Sequence, residues 1–507
     1  MLRFARNDSI VEVKDKNEMK KVMLITPPYH SGVVESAGTW LNLGFVYIAG
    51  SLRNAGYDVE VYDAMSYFHD YAEITKRIEA YKPDVVATTA ITASINDCIE
   101  VCKLSKKINP EIITILGNVH PTFMWKEILN EYHTYVDYIV KGEGEITLPE
   151  LLDCLFLKGD LSKVKGIVFW SDDRAIATSA REYITDLDSI EGAWDLVDWG
   201  IYTYRPTPDS VLAIVNSSRG CNQYCSFCSQ QLFWSRKWRA KSPEKFVSEL
   251  EHIHMKYGVN AAMIADETPT YDRQRWERIL DLLIERSMDI ELFMETRVKD
   301  IVRDRDILWR YREAGIVHIY VGVESTSRET LKKFEKDVSI EESKLAIELI
   351  NEHNIISETS FVLGMPEETR ESINTTLDLA KHYNPDMAFF LAIAPWPYAN
   401  IYKELEPYVA TKDYSKYNLI EPVVKPANMT IDELRDELNR ATRFFYMDKF
   451  SRLKSMTSFK RDYMIAVMKL LMEHSYLGSQ IKSIHDSMPE EMKRFIKDFA
   501  EHFSPIP

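Results

Sequence analysis

Residues 219–230 read Arg-Gly-Cys-Asn-Gln-Tyr-Cys-Ser-Phe-Cys-Ser-Gln, and this stretch decides how the rest of the chain is interpreted. It places Cys221, Cys225 and Cys228 at the spacing C-x3-C-x2-C. Thiolates favour iron–sulfur clusters, zinc and copper(I), and a closed zinc site or an ordinary four-iron cluster needs a fourth protein ligand. The other three cysteines lie far back in the chain, at Cys98, Cys102 and Cys154. The spacing therefore predicts a cluster with one open iron that can bind a small molecule. A zinc loop, a redox thiol cluster and a chance grouping are the alternatives.

The composition is that of a multidomain globular protein. With 507 residues the chain is long enough for two or three domains with full-sized cores. Its 62 Lys and Arg against 78 Asp and Glu give a net charge of −16, which argues against nonspecific nucleic-acid binding. A local basic groove around Arg236, Lys237 and Arg239 remains compatible with that balance.

Cysteine usage and hydropathy indicate where the protein works. Six cysteines, three of them clustered, do not make a disulfide framework. The sequence contains no apolar run of membrane-spanning length and no apolar signal core at its N-terminus. We therefore expect a cytoplasmic protein with no membrane span and no nucleic-acid partner.

After a polar lead-in over residues 1–20, residues 21–160 alternate short apolar runs with helical patterns. This alternation predicts a Rossmann-like (flavodoxin-like) α/β domain, with a parallel sheet covered on both faces. Ligands bind such sheets beyond the carboxyl ends of the strands. The loops there contain neither a dinucleotide fingerprint nor a P-loop. Their candidate ligand-binding residues are Thr89, Thr92, Gly117, His120, Gly142 and Glu143.

Residues 161–210 mix short strand-like pieces with acidic and aromatic turns and are predicted to be a linker. Residues 211–400 repeat six strand–helix units, which predicts a partial (β/α)6 barrel of the TIM type with its functional residues at the C-terminal strand ends. Residues 401–507 are predicted to form a helical cap. The cysteine loop follows the first barrel strand, and the later strand ends carry Asp266, Glu267, Glu295, Arg297, Glu324 and Gly364.

The cysteine motif, with Phe227 before its last cysteine, resembles the signature of the radical S-adenosylmethionine (radical SAM) enzymes. The first domain is similar to the cobalamin-binding domain of their class B, and a bare recognition module is the alternative. The resemblance implies that Cys221, Cys225 and Cys228 hold a [4Fe–4S] cluster, that SAM binds the open iron, and that cobalamin is a second cofactor.

The same resemblance implies roles for the strand ends. Glu267 or Asp266 stands where the family has a G-G-E motif that meets the SAM amino group, although both glycines are replaced. Arg297, Glu295 and Glu324 stand where polar contacts with SAM are usual, and Gly364 begins a segment similar to the one that packs on adenine. The cobalt-ligating D-x-H-x-x-G motif of many cobalamin domains is missing. His120 is the candidate ligand in its place, with a structural hydrogen-bonding histidine as the alternative.

Further strings resemble the anaerobic magnesium-protoporphyrin IX monomethyl ester cyclase family, among them Ala265-Asp-Glu-Thr-Pro-Thr270, Pro395-Trp-Pro and Lys416-Tyr-Asn. The cobalamin-dependent methyltransferase that modifies a glutamine α-carbon in methyl-coenzyme M reductase looks like one methanogen relative of that family. The resemblance implies an anaerobic enzyme with a flavodoxin- or ferredoxin-type low-potential donor and a protein, peptide or tetrapyrrole substrate. We expect methyl transfer to an unactivated sp3 carbon. Oxidative cyclisation is the alternative, and a non-catalytic cobalamin or iron–sulfur protein is a distant one.

Overall fold

The computed structural model describes residues 19–30 and 37–474. Most of the predicted lead-in and the last part of the predicted cap lie outside these ranges. Among the described residues, no helix is both long enough and apolar enough to cross a membrane.

The first domain is built on a seven-stranded sheet. Its strands are β1 Lys21–Ile25, β2 Asp58–Tyr62, β3 Val85–Thr89, β4 Ile113–Gly117, β5 Tyr138–Val140, β6 Ile167–Ser171 and β7 Arg174–Ala177. They lie in the order β2-β1-β3-β4-β5-β6-β7. Strands β1 to β5 pair in parallel, while β6 and β7 are antiparallel. The predicted parallel α/β domain is confirmed, with a hairpin added at one edge.

Within the described part of the domain, five helices cover both faces of this sheet. They are α1 Leu43–Asn54, α2 Tyr71–Tyr81, α3 Ile95–Ile108, α4 Val119–Tyr132 and α5 Gly144–Phe156. Successive residues of a strand point to opposite faces. In β1, Val22 and Leu24 join the core with α1 and α5, while Met23 and Ile25 join the core with α2 and α3. Burial on both faces explains why this strand reads as an uninterrupted apolar run.

The linker predicted over residues 161–210 was wrong for residues 167–177, which form β6 and β7. Asp172 and Asp173 between them both have left-handed backbone, with φ of 50° and 57°, as two-residue hairpin turns favour. The hairpin breaks the strand–helix alternation, so the sequence pattern ended the domain too early. The rest of the segment runs to the barrel, where Trp194 and Tyr202 are buried in its core.

The second domain is a six-stranded parallel sheet. The strands in this part are β8 Leu212–Val215, β9 Ser218–Arg219, β10 Arg239–Ala240, β11 Ala261–Ile264, β12 Glu291–Thr296, β13 Ile316–Glu324, β14 Ile356–Leu363 and β15 Met387–Ala392. Strands β8 and β11 to β15 pair in chain order, with β8 and β15 at the two edges. Two unpaired edges make this the predicted partial barrel. Strands β9 and β10 form a separate antiparallel pair around the cysteine loop.

Helices follow the barrel strands and continue into the cap. They are α6 Gln230–Phe233, α7 Pro243–Tyr257, α8 Arg273–Arg286, α9 Val298–Arg303, α10 Leu308–Glu313, α11 Arg328–Lys333, α12 Ile340–Glu352, α13 Arg370–Tyr383, α14 Tyr402–Leu405, α15 Ile431–Arg452 and α16 Ser458–His474. A capping box begins α15, because Thr430 Oγ1 accepts from the Glu433 amide while Glu433 accepts from the Thr430 amide. Phe445 of α15 is fully buried against Phe390 of β15, so this helix covers the last barrel strand.

Candidate functional site

A cleft lies where the strand ends of the first sheet meet the barrel. It contains about 1120 Å³ of empty space, part of it open to solvent. Its first wall comes from the ends of β3, β4 and β5, and its second wall comes from the ends of β8 and β11 and from α6. Residues on the two walls include Thr89, Gly117, Asn118, Gly142, Glu143, Asn216, Arg219, Trp234 and Glu267. The predicted ligand-binding edges of both domains therefore open into one space.

The first-domain wall leaves room for a bulky ligand. A Cβ on Gly117 would meet only the Val140 carbonyl oxygen, 3.9 Å away, and one on Gly142 would meet nothing within 4 Å. Gly142 also has φ of +74°, a conformation that side-chain-bearing residues rarely adopt. Thr89 is turned toward a neighbour, because its hydroxyl accepts from Asn118 Nδ2 at 2.9 Å. This open, small-residue wall fits the cobalamin that the resemblance implies.

Thr92 and His120 do not line the cleft, in contrast to the sequence prediction. Both are buried, and His120 Nδ1 lies 3.1 Å from Thr92 Oγ1. Thr92 Oγ1 also bonds the hydroxyl of Tyr398, which follows the last barrel strand, at 2.8 Å. The His120 ring packs against the rings of Tyr398 and Tyr414, and burial lowers its pKa to about 4. These two residues join the first domain to the end of the barrel.

Glu143 lines the cleft, but its carboxylate is occupied by protein donors. Oε1 accepts from Arg219 at 2.8 Å and from Arg239 at 2.9 Å, and Oε2 accepts from the Ile184 amide at 2.8 Å. Arg219 also pairs with Glu145 at 2.7 Å. All four ionic side chains are at least nine-tenths buried. The Gly-Glu-Gly-Glu segment therefore binds the first domain to the residues that flank the cysteine loop.

The cysteine loop is anchored to the barrel through the residues between its last two cysteines. The Ser226 amide donates to the Phe334 carbonyl at 2.9 Å, and its hydroxyl donates to the Lys333 carbonyl at 2.7 Å. The Phe227 ring packs against the Phe334 ring at 4.8 Å. In return, the Ser226 carbonyl accepts from the Ile401 amide at 3.0 Å. The loop is thereby fixed at the end of the first barrel strand.

The three thiols of this loop are free and partly buried. Burial raises the pKa of each thiol, that of Cys228 to about 12. Coordinated iron would offset this, because a metal-bound thiol is deprotonated outright. Over residues 19–30 and 37–474, no three His, Cys, Asp or Glu side chains converge as ligands of a single metal ion would. A [4Fe–4S] cluster places each thiolate on a different iron, so the donor set fits the cluster that the resemblance implies.

Of the two predicted acids after β11, only Glu267 faces the cleft. Glu267 Oε2 accepts from the Gly220 amide at 2.9 Å, and Oε1 accepts from Trp234 Nε1. Asp266 is 1 % exposed and accepts from the amide and hydroxyl of Ser217 at 2.7 and 2.6 Å, and from the Ser218 hydroxyl at 2.6 Å. Asp266 therefore fixes the strand end before the cysteine loop and does not reach the cleft.

Four carboxylates from successive barrel strands lie near one another: Glu267 after β11, Glu295 near the end of β12, Glu324 at the end of β13 and Glu358 near the start of β14. The Glu295 side chain keeps solvent-accessible surface. Its pKa is nevertheless raised to about 7, first by poor solvation of the charged carboxylate and then by the three nearby carboxylates. Glu324 has a left-handed backbone, with φ of 64°, and pairs with Lys336 at 3.0 Å. Glu358 lies 2.6 Å from His318 Nε2. Among the described residues, Glu295 has no hydrogen-bond or ion-pair partner.

Arg297 and Gly364 complete the predicted set. The Arg297 guanidinium is half-buried after β12 and forms no ion pair with a described residue. Gly364 has φ of +90°, and a Cβ there would lie 2.9 Å from Leu434 of the cap helix. Its amide donates to Glu368 at 3.1 Å. Gly364 is thus packed between the barrel and the cap.

Three site residues had no role in the sequence prediction: Arg219, Trp234 and Lys336. Arg219 opens the cysteine stretch and Trp234 follows it, but the carboxylates that they contact lie 76 and 33 residues away in the chain. Lys336 lies near Cys225 and Cys228. Burial alone would lower its pKa, but Glu324 and the two thiols raise it above the ordinary value. No local pattern around residue 336 indicated this position.

Comparison with known proteins identifies both domains. Residues 29–152 match the B12-binding domain family, and residues 215–380 match the radical SAM superfamily. The chain is 36 % identical over 461 residues to the anaerobic magnesium-protoporphyrin IX monomethyl ester cyclase of Cereibacter sphaeroides, covering 89 % of this chain and 75 % of that protein. It is 29 % identical over 434 residues to an uncharacterized methyltransferase of Pyrococcus horikoshii, covering 85 % and 93 %.

A solved structure supports the fold. The radical SAM methyltransferase TsrM from Kitasatospora setae, with cobalamin and a [4Fe–4S] cluster bound, superposes with a TM-score of 0.63 at 16 % identity and covers 77 % of this chain and 75 % of that one. The chain therefore belongs to the cobalamin-binding radical SAM enzymes, in the family of the anaerobic magnesium-protoporphyrin IX monomethyl ester cyclases, and its cofactors are cobalamin, a [4Fe–4S] cluster and SAM.

Proposed function

We propose that this enzyme is a methyltransferase that acts on an unactivated sp3 carbon. The main support is that the open wall at Gly117 and Gly142 and the barrel wall at Glu267 line the same cleft. When bound, the cluster and SAM supply a carbon-centred radical, and cobalamin supplies a transferable methyl group. Two cofactors facing each other across one space suit transfer of that group to a carbon held between them.

In this proposal the chain's residues hold and orient the reactants. Cys221, Cys225 and Cys228 bind the cluster. Glu267 accepts from the SAM amino group, because it is the predicted acid on the cleft wall. Arg297, with no ionic partner among the described residues, is free to meet the SAM carboxylate or ribose. Glu324 gives a further polar contact, and the segment beginning at Gly364 packs on adenine.

On the opposite wall, Thr89, Gly117 and Gly142 give cobalamin its room. Glu143 acts through Arg219 and Arg239, and His120 and Thr92 act through Tyr398, so all three position the domain and do not touch the cofactor. Helix α15 covers the edge strand β15 through Phe445 and Phe390, which limits water on that side of the barrel, as radical chemistry requires.

The charges inside the barrel bear on the substrate. Glu324 is paired with Lys336 and Glu358 lies beside His318, so the unpaired acid among the described residues of the interior is Glu295. When Glu295 is ionised, a substrate carrying a free carboxylate would be repelled there. A neutral side chain, such as the glutamine of a methyl-coenzyme M reductase peptide, would not be. We therefore place a glutamine α-carbon ahead of a tetrapyrrole monoacid as the methyl acceptor.

Oxidative cyclisation of magnesium-protoporphyrin IX monomethyl ester is the second candidate. The 36 % identity to the Cereibacter sphaeroides cyclase over 89 % of this chain favours it. Both candidates use the same cofactors and the same low-potential donor of the flavodoxin or ferredoxin type. They differ in the atoms that the product gains.

Product mass separates the two candidates. The reconstituted chain is incubated without oxygen with SAM, cobalamin and reductant, together with either the porphyrin ester or the glutamine peptide. Methyl transfer adds one CH2 unit to the peptide, and this gain is the expected result. An oxidised porphyrin ring without methyl gain, with an unchanged peptide, would overturn the proposal in favour of the cyclase.

A further inference from the structure

The segment that carries the cysteine loop has an unusual charge for this chain. Residues 210–243 contain no Asp or Glu, although about five would be expected at the average composition of a chain with 78 acids in 507 residues. The same segment contains five basic residues: Arg219, Arg236, Lys237, Arg239 and Lys241. In a protein with a net charge of −16, this segment is locally positive.

These five basic residues divide into two groups. Arg219 and Arg239 are buried against Glu143, and Lys241 is buried against Glu249, so their charges are neutralised inside the protein. Arg236 and Lys237 are exposed and form no ion pair with any described residue. The unbalanced positive charge of the segment therefore appears at its surface at these two adjacent positions.

Ser235, Arg236 and Lys237 form a turn that packs directly against the cysteine loop. Ser235 and Arg236 both have left-handed backbone, with φ of 48° and 57°. The Arg236 guanidinium lies 4.3 Å from the ring centre of Tyr224, which is 58 % exposed and sits between two of the cluster cysteines. The Lys237 carbonyl oxygen packs so closely on Gly220 that a Cβ at this position would clash with it. Gly220 immediately precedes Cys221. The Arg236 charge and the Lys237 backbone thus border the predicted cluster ligands, while the Lys237 ammonium lies 5.7 Å from the ring centre of Tyr183.

We propose that Tyr224, Arg236 and Lys237 form the docking surface for an acidic one-electron donor protein. The inference rests on the proposed function, because only a reducible cluster needs a donor. An acidic donor would be repelled by the chain as a whole, so a local positive patch would orient it and raise its association rate. Transient redox partners bury small surfaces, which an exposed turn and one aromatic ring can supply.

Cluster reduction tests this surface. The double variant Arg236→Glu/Lys237→Glu is compared with Lys107→Glu/Lys256→Glu, which makes the same charge change at exposed lysines elsewhere. Reduced flavodoxin is the protein donor and dithionite is the small-molecule donor. The rate of cluster reduction is followed by electron paramagnetic resonance (EPR), and flavodoxin affinity is followed by titration calorimetry at several salt concentrations.

We expect the turn variant to be reduced by flavodoxin at least about tenfold more slowly, with weaker and less salt-dependent binding. Dithionite should reduce both variants at the wild-type rate. Equal slowing with both donors would mean that the turn supports the cluster itself, and unchanged flavodoxin rates would mean docking elsewhere; either result overturns the proposal. If dithionite-reduced wild-type enzyme fails to cleave SAM, the proposed function fails, while the reduction rates still decide the docking surface.

Discussion

Replacing Glu143 by alanine tests whether the buried charges between the two domains hold them together. The substitution removes the acceptor shared by Arg219 and Arg239. Arg219 keeps Glu145, but Arg239 loses its anionic partner among the described residues while its guanidinium stays buried. Breaking a buried ion pair from one side costs about 3–5 kcal/mol, because the remaining charge is left uncompensated. We expect a loss of that size in the free energy that holds the first domain against the barrel.

Hydrogen exchange and urea unfolding measure this loss. The Ala193 amide donates to the Val46 carbonyl of α1 at 2.9 Å, a bond that does not involve Glu143, so its exchange rate reports local opening of the first domain from the segment that runs to the barrel. The first urea transition reports domain separation, because a two-domain chain need not unfold in one step. The control is Glu182→Ala, which removes a carboxylate that is 79 % exposed and pairs with Lys165. A surface pair of this kind is worth about 0–1 kcal/mol.

A double variant distinguishes the cost of an unpaired buried charge from a general loss of packing at the junction. In Glu143→Ala/Arg239→Met both charges are absent, and burying an apolar chain in place of a pair is often neutral. We expect the double variant to recover about 2 kcal/mol relative to Glu143→Ala alone. A single-variant cost below about 1 kcal/mol, or no recovery in the double variant, would refute this account of the junction.

Three further predictions concern single side chains. Because the pKa of Glu295 is raised from 4.5 to about 7, the folded chain binds its proton more tightly than the unfolded chain. The unfolding free energy should therefore fall as pH rises from 4.5 to 7. Denaturation of Glu295→Gln across this range should show a shallower fall, and an identical slope would contradict the pKa shift. Asp266→Ala leaves the Ser217 and Ser218 donors without their acceptor, so urea unfolding should show a loss of about 1–3 kcal/mol. Iron analysis should also show less bound iron, and wild-type stability and iron content would exclude the anchoring role. His120→Phe should leave the EPR spectrum of bound cobalt(II) cobalamin unchanged, whereas loss of a nitrogen splitting would make His120 a cobalt ligand.

Short-range patterns predicted the parts of the fold that depend on neighbours in sequence. Strand β1 could be predicted because both of its faces are buried, and the cluster cysteines because their ligand spacing lies within one loop. The β6–β7 hairpin was missed because a turn at Asp172 and Asp173 interrupts the strand–helix repeat that defined the domain.

Side-chain direction at the site depended on partners that no local pattern shows. Glu143 follows a strand end, as a ligand-binding residue would, but Arg239 lies 96 residues later and turns it into an interdomain contact. Thr92 is drawn to Tyr398, which lies 306 residues away. Asp266 and Glu267 are adjacent in the loop after β11, yet Asp266 is held in the core by the Ser217 amide and Glu267 is held at the cleft by the Gly220 amide. The sequence could therefore predict which strand ends matter, but not which side chain at each end is free.

Cleavage of SAM by the reconstituted chain tests the central claim most directly. Wild-type enzyme with iron, sulfide, cobalamin, SAM and dithionite is compared with Cys225→Ala under the same anaerobic conditions, and 5′-deoxyadenosine is measured by mass spectrometry. We expect wild type to form 5′-deoxyadenosine and Cys225→Ala to form none above background. Equal amounts from the two proteins would contradict a radical SAM site at Cys221, Cys225 and Cys228.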